Sequence, residues 1–208
     1  MATPAPRRQR LGHDERREQI LVCARRLFSE RVYSAVSTSD IAAEAGVARG
    51  LLHHYFGGKR DLYLEVVRSM VSAPASPMPG VNALAGASVK EAVAEGADRW
   101  LTMIERNRGT WLAAHGAQGL GRDPEVEAIL DEARERAADG LIAAVRPGDP
   151  ATAPPELRAT VVAYSGFAEA ASIEWLERGR LTRDQVKALI VSGFFCAVGE
   201  VLEAVQAA

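Results

Sequence analysis

Residues 37–63 read STSDIAAEAGVARGLLHHYFGGKRDLY, and the rest of the chain is organised around them. Ser37 and Asp40 have the S-x-x-D spacing of a helix start, where a hydroxyl caps the first turn and an acid favours the positive helix end. Ile41 and Ala42 supply a short apolar face. Gly46 follows Ala45, where glycine tolerates the left-handed backbone that turns one helix sharply into the next. A second short helix is predicted from about Ala48 to Tyr55, with Gly57 and Gly58 ending it. Two short helices joined by a tight glycine turn make a helix-turn-helix, whose second helix can enter the major groove of DNA.

The second helix carries the chemistry for that task. Arg49 stands near its start, Gly50 keeps the backbone close to a target, and His53, His54 and Tyr55 offer hydrogen bonds. Lys59 and Arg60 open the following helix, where cations suit a neighbouring phosphate better than the helix dipole. Asp40-Ile41-Ala42, Ala45-Gly46-Val47, His54-Tyr55-Phe56, Lys59 and Leu62 together resemble the DNA-binding signature of the TetR family of bacterial transcriptional regulators. The likeness covers roughly residues 15–70. It implies that Ser37 and Thr38 meet phosphate, that Ala48, Arg49, Gly50 and His54 face base edges, and that His53, Tyr55 and Lys59 meet the backbone. Arg49 is the candidate for guanine, because its fork can bond O6 and N7 together. Leu51 and His53 depart from the usual pattern, which has threonine and tyrosine there.

Upstream, residues 1–12 form an expected flexible arm whose Arg7, Arg8 and Arg10 suit a minor groove. From Asp14 to about Arg31, Ile20, Leu21, Ala24, Leu27 and Phe28 fall on one helix face, a brace for the reading head. Downstream, Leu62, Val66 and Met70 mark a connecting helix over residues 59–71, and the proline-rich residues 72–86 a linker. Capping signals at Ser88/Glu91, Asp123-Pro124 and Thr182/Gln185 open further helices, with Asn107 a candidate cap for a short one. Residues 147–155 read as a second breaker-rich loop. No strand pattern and no repeat of 20 to 50 residues is found.

The expected fold is therefore all-α: an N-terminal three-helix helix-turn-helix domain (residues 13–58) and a larger helical ligand-binding and dimerisation domain (residues 59–208). The resemblance implies that the last two long helices form a four-helix bundle across a two-fold axis. Gly166, Ala170 and Ile173 on one, with Leu189, Ile190, Gly193, Phe194, Ala197 and Val201 on the other, are the candidate homodimer interface.

Composition sets bounds on function. Net charge is −2, yet residues 1–72 carry 12 Lys/Arg against 8 Asp/Glu while residues 73–208 carry 13 against 19. A basic third on an acidic remainder fits a nucleic-acid module attached to a regulatory body. No uninterrupted apolar run reaches the roughly 18 residues of a spanning helix, and no apolar stretch follows the basic start. A cytoplasmic protein without a membrane partner is expected. Cys23 and Cys196 form neither a disulfide framework nor a zinc motif.

Catalysis has no visible constellation. The four histidines lack the i, i+4 pairing of a helical metal site, so neither metal nor cofactor is expected. Residues 116–121, GAQGLG, follow no strand, and Ser165-Gly166 lacks the frame of a hydrolase elbow. A structural DNA-packaging protein would explain the helix-turn-helix but not a large body with its own aromatic helices. The body is the expected seat of a small-molecule effector. Trp100, Met103, Ile104, Trp111, Leu112, Tyr164, Phe167 and Trp175 are candidate walls, with His115, Gln118 and Glu169 as polar anchors. Glu169 stands alone in an apolar run: buried, it requires a partner or a raised pKa; otherwise it lies on a solvent face.

Overall fold

A computed structural model describes residues 12–72, 88–116, 123–146 and 148–207. The expected arm before Gly12, residues 73–86 of the linker, and Gln118 lie outside the described residues. Ten α-helices are seen among them: α1 (His13–Glu30), α2 (Thr38–Glu44), α3 (Arg49–Phe56), α4 (Lys59–Ser72), α5 (Val89–Arg106), α6 (Arg108–Ala114), α7 (Pro124–Val145), α8 (Pro155–Leu176), α9 (Arg183–Cys196) and α10 (Leu202–Ala207). A π turn over Ala197–Val201 joins α9 to α10 in one continuous helix, Arg183–Ala207.

Local chemistry sets these boundaries. Ser37 Oγ accepts from the Asp40 amide, and Asp40 Oδ2 accepts from the Ser37 amide at 2.8 Å, a reciprocal cap on α2. Ser88/Glu91 and Thr182/Gln185 repeat the device on α5 and α9, and Asp123 caps α7 ahead of Pro124. At the end of α2 the Val47 amide bonds Ala42 O and the Gly46 amide bonds Ala43 O. Gly46 has φ 61°, so the turn into α3 rests on a conformation that a Cβ would strain. Asn107 does not cap α6 as expected. Its side-chain amide donates to Met103 O at 2.8 Å, which closes the end of α5 instead.

The helices share one continuous core running from Ile20 to Phe194. In the reading head α1 lies under α2 and α4, and Ile20, Ala24 and Phe28 share one core with Ile41, Leu52 and Leu62. In the body α7, α8, α9 and α5 pack side by side, and α4 leans on α7. Arg183–Ala207 is long and apolar enough to cross a membrane, with mean hydropathy 1.9 over 18 residues, a signal that counting uninterrupted apolar runs misses because Glu200 and Glu203 lie within the helix. Here it lies along α5 and α8.

Head and body meet where α6 crosses α1. Gly109 presses on the end of α1 so closely that a Cβ would stand 2.4 Å from Phe28 O and 2.6 Å from Ser29 O, both backbone atoms. Gly109→Ala should therefore lower stability by about 1–3 kcal/mol in urea titrations, because two backbones must separate. Gly140→Ala, in the middle of α7 with nothing within 4 Å of its Cβ, should raise stability by about 0.5–1 kcal/mol. Equal effects at the two positions would show that the α1–α6 joint is slack.

Candidate functional site

The reading head presents α3 to solvent. Ala48, Arg49, Gly50, His53 and His54 are exposed, while Leu52 and Phe56 anchor the helix in the core. Ala48 contributes no side-chain cap, so the first-turn amides of Arg49 and Gly50 face outward uncapped. Gly50 is exposed in the first turn of α3, and a Cβ there would meet nothing within 4 Å; the fold gives no reason for glycine at that position. His53 Nδ1 donates to Gly57 O and so holds the ring across the end of α3, leaving Nε2 outward. Tyr55 is half-buried, edge-on to His13 at 4.7 Å. Ser37 Oγ, though an acceptor in its cap, keeps its own proton to donate. Thr38 sits half-buried at the first position of α2.

The two cations after α3 are not free. Lys59 Nζ donates to Tyr33 O at 2.6 Å and lies 4.0 Å from the Tyr33 ring centroid, and partial burial lowers its pKa. Two N–H donors remain on that ammonium. Arg60, expected beside a phosphate, instead reaches the body and bonds Asp123 and Glu125.

In the body the structure brings together four of the expected residues and one that sequence reasoning missed. His115 Nδ1 donates to Trp111 O at 2.9 Å, and its ring lies 3.9 Å from that of Trp111. His115 Nε2 is 3.5 Å from Glu169 Oε2. The missed residue is Arg134 of α7, whose Nε and Nη2 donate to the two Glu169 oxygens at 2.8 Å each. Desolvation pushes the Glu169 pKa up, but the neighbouring His115 ring and the paired Arg134 guanidinium outweigh it and leave the carboxyl below its ordinary value. Trp100 packs edge-to-face on Trp111 at 5.5 Å. The indole Nε1 of Trp111 and Nε2 of His115 are buried without a hydrogen-bond partner among the described residues.

Other expected walls go elsewhere. Ile104 and Leu112 are sealed in the core, and Met103 and Trp175 are half-buried beside it. Tyr164 is fixed by its hydroxyl, which donates to Ile190 O at 2.7 Å. Phe167 is 45% exposed on the outer side of α8. Two open clefts, of about 190 and 350 Å³, lie around Arg17–Phe56–Arg68 and beside Lys90–Phe195, and none of the expected effector residues lines either.

The expected dimer set divides in the same way. Gly166, Ala170, Leu189 (40% exposed) and Val201 (45%) face outward, and Ile173, Gly193 and Ala197 are half-buried. Ile190 and Phe194 are core residues instead, because the face of α9 that carries them packs on α8. Gly193 is already approached within the chain itself: a Cβ there would lie 2.8 Å from a Phe167 ring carbon.

The Glu169 pKa makes a testable statement. A carboxylate whose folded pKa is depressed contributes stability above its unfolded value, about 4.3, and loses it as pH falls through the folded value. The stability advantage of wild type over Glu169→Gln should thus be full at pH 7 and shrink below about pH 4. A difference that stays constant across that range in denaturant titrations would show that Glu169 is not ionised in the fold.

Comparisons with known proteins agree with this geometry. Residues 20–66 match "Bacterial regulatory proteins, tetR family", and residues 89–197, more than half of the chain, match "Tetracyclin repressor-like, C-terminal domain". The transcriptional activator FasR of Mycolicibacterium smegmatis is 42% identical over 65 residues, 31% of this chain and 30% of FasR. The chain thus spans less than a third of that relative's length. In fold it is similar to a tetR-family regulator from Streptomyces coelicolor (TM-score 0.79, 22% identity, covering 95% and 90% of the two chains). It is also similar to FadR from Bacillus subtilis in complex with stearoyl-CoA (TM-score 0.65, 18% identity, covering 88% and 97%). With a helix-turn-helix that leaves its second helix bare and a helical body matched along most of its length, the chain belongs to the TetR family of DNA-binding transcriptional regulators.

Proposed function

We propose that the chain is a cytoplasmic repressor that binds a palindromic double-stranded operator as a homodimer and leaves it when a small molecule occupies the body. The observation that carries the DNA reading is the bare first turn of α3, where an exposed Arg49 stands beside a glycine the fold does not require. A helix glycine costs about 0.5–1 kcal/mol against alanine, so its presence points to close approach by a partner. Arg49 and His54 read base edges; Ser37, Thr38, His53, Tyr55 and the remaining Lys59 donors hold the backbone. Repression needs nothing beyond occupancy of the site.

Support for pairing comes from the outward stripe Gly166, Phe167 and Ala170 on α8 with Leu189 and Val201 on α9 and the π turn, small and apolar residues with no covering element among the described residues. Two such stripes related by a two-fold axis make a self-complementary interface. For the effector, the support is the buried Trp111 N–H beside His115, unpartnered among the described residues, since an unsatisfied polar group of this kind costs about 1–3 kcal/mol until something accepts from it. The corresponding fold in FadR holds stearoyl-CoA, which supports a small-molecule role for this body. A ligand that favours a body shape unsuited to the operator lowers DNA affinity, and by linkage the operator lowers ligand affinity equally.

Arg49→Ala should weaken binding to a duplex selected from a random pool by about 1–3 kcal/mol and relax preference at one base pair per half-site. Gly50→Ala should raise the melting temperature while weakening the same binding. A Gly50→Ala chain that is both more stable and undiminished on DNA would place α3 outside the interface, as would an unchanged cognate-to-scrambled ratio in Arg49→Ala.

A further inference from the structure

We propose that Arg60, Asp123 and Glu125 form a positioning latch that fixes the angle of the reading head on the body and so sets the spacing between paired recognition helices. This rests on the paired-operator reading above. Arg60 is the second residue of α4, four positions after the end of α3, so whatever holds its guanidinium holds the recognition helix within about one turn. Its Nε donates to Asp123 Oδ2 at 2.9 Å and its Nη2 to Asp123 Oδ1 at 2.8 Å, a two-pronged grip on one carboxylate. Nη1 donates to Glu125 Oε1 at 3.0 Å.

The acceptor is itself immobilised. Asp123 Oδ1 also accepts from the Glu125 amide at 2.9 Å and the Val126 amide, the cap of the 22-residue helix α7. Its side chain is only 12% exposed, and the Arg60 bonds hold its carboxyl below the usual range. The latch thus ties α4 to a long rigid rod rather than to a loop.

A second tie lies one turn further along α4. Tyr63 donates to Thr110 O of α6 at 3.1 Å, beside the Gly109 crossing. Two ties on consecutive turns of α4, to two different body helices, fix both position and angle. Without the latch, the head stays joined through Tyr63 and the Gly109 contact and can tilt about them. A pivot changes the distance between the two α3 helices of a dimer, which binds best near one helical turn of DNA, about 34–36 Å, or a multiple.

The test uses the full-length chain, a duplex it selects from a random-sequence pool, and the same half-sites respaced by one and two base pairs. Asp123→Asn with Glu125→Gln removes the charges while keeping an N-cap residue. This pair and Arg60→Ala should each weaken binding to the selected site roughly fivefold, flatten the preference among spacings, and combine without further loss. Arg60→Lys should behave like alanine, because an ammonium cannot reproduce the fork. Were Arg60 a phosphate contact instead, the acid variants would bind more tightly and Arg60→Lys would bind like wild type; that result overturns the latch. Unchanged spacing preference in both variants overturns it as well. Selection of single half-sites by the wild type would overturn the paired reading and the latch with it.

Discussion

Tyr63 is the residue on which the arrangement of head and body depends. It is fully buried, edge-on to Phe28 at 5.2 Å and to Tyr33 at 4.9 Å, and its hydroxyl reaches the backbone of α6. Burial pushes its pKa well up, so it remains a hydrogen-bond donor at any working pH. Through Phe28 it holds α1, through Thr110 it holds the body, and through Tyr33 it supports the carbonyl and ring that engage Lys59. An aromatic can satisfy all three at once because its flat apolar body and its polar tip serve different neighbours. A phenylalanine there would keep the packing and lose the hydrogen bond to the Thr110 carbonyl.

The elements of the reading head were legible in the sequence because their causes are local. Ser37 and Asp40 are three residues apart and settle α2 between them, and Gly46 needs no knowledge of anything beyond Ala42 and Val47. The same holds for Ser88, Asp123 and Thr182 at the starts of body helices. Caps exchange hydrogen bonds within one turn, so a pattern of four residues carries the full information. Asn107 shows the limit: one amide had two helix ends within reach, and only the backbone geometry decided for Met103 O.

What escaped sequence reading was pairing at a distance. Glu169 and Arg134 are 35 residues apart on different helices, and nothing in the run around Glu169 announces a guanidinium. The alternative of a partner over a raised pKa was open until α7 and α8 were seen side by side. Arg60 was misplaced for the same reason, since its carboxylates lie 63 and 65 residues away. Ile190 and Phe194 differ from Leu189 only in which face of α9 they occupy, and in a helix apolar nearly all round periodicity does not distinguish core from interface. The exposed stripe appears only once α8 has covered the other side.

Helix α6 is where these separate demands meet. It is seven residues long, so Gly109 and His115, six positions apart, are about 9 Å from each other along the axis. Near its start, Gly109 touches the backbone of α1 with no room for a methyl group, and Thr110 accepts the Tyr63 hydroxyl. Towards its end, Trp111 packs on His115, which approaches the Glu169–Arg134 pair, with two ring nitrogens unsatisfied among the described residues. A helix this short does not bend over such a distance; it shifts as a unit. A contact already closer than a methyl group allows gives way by moving α1, because there is no side chain between them to compress. Any displacement of α6 at this joint meets α1 backbone to backbone, and the tightness of the joint comes from the absence of a Cβ at Gly109 rather than from any added interaction.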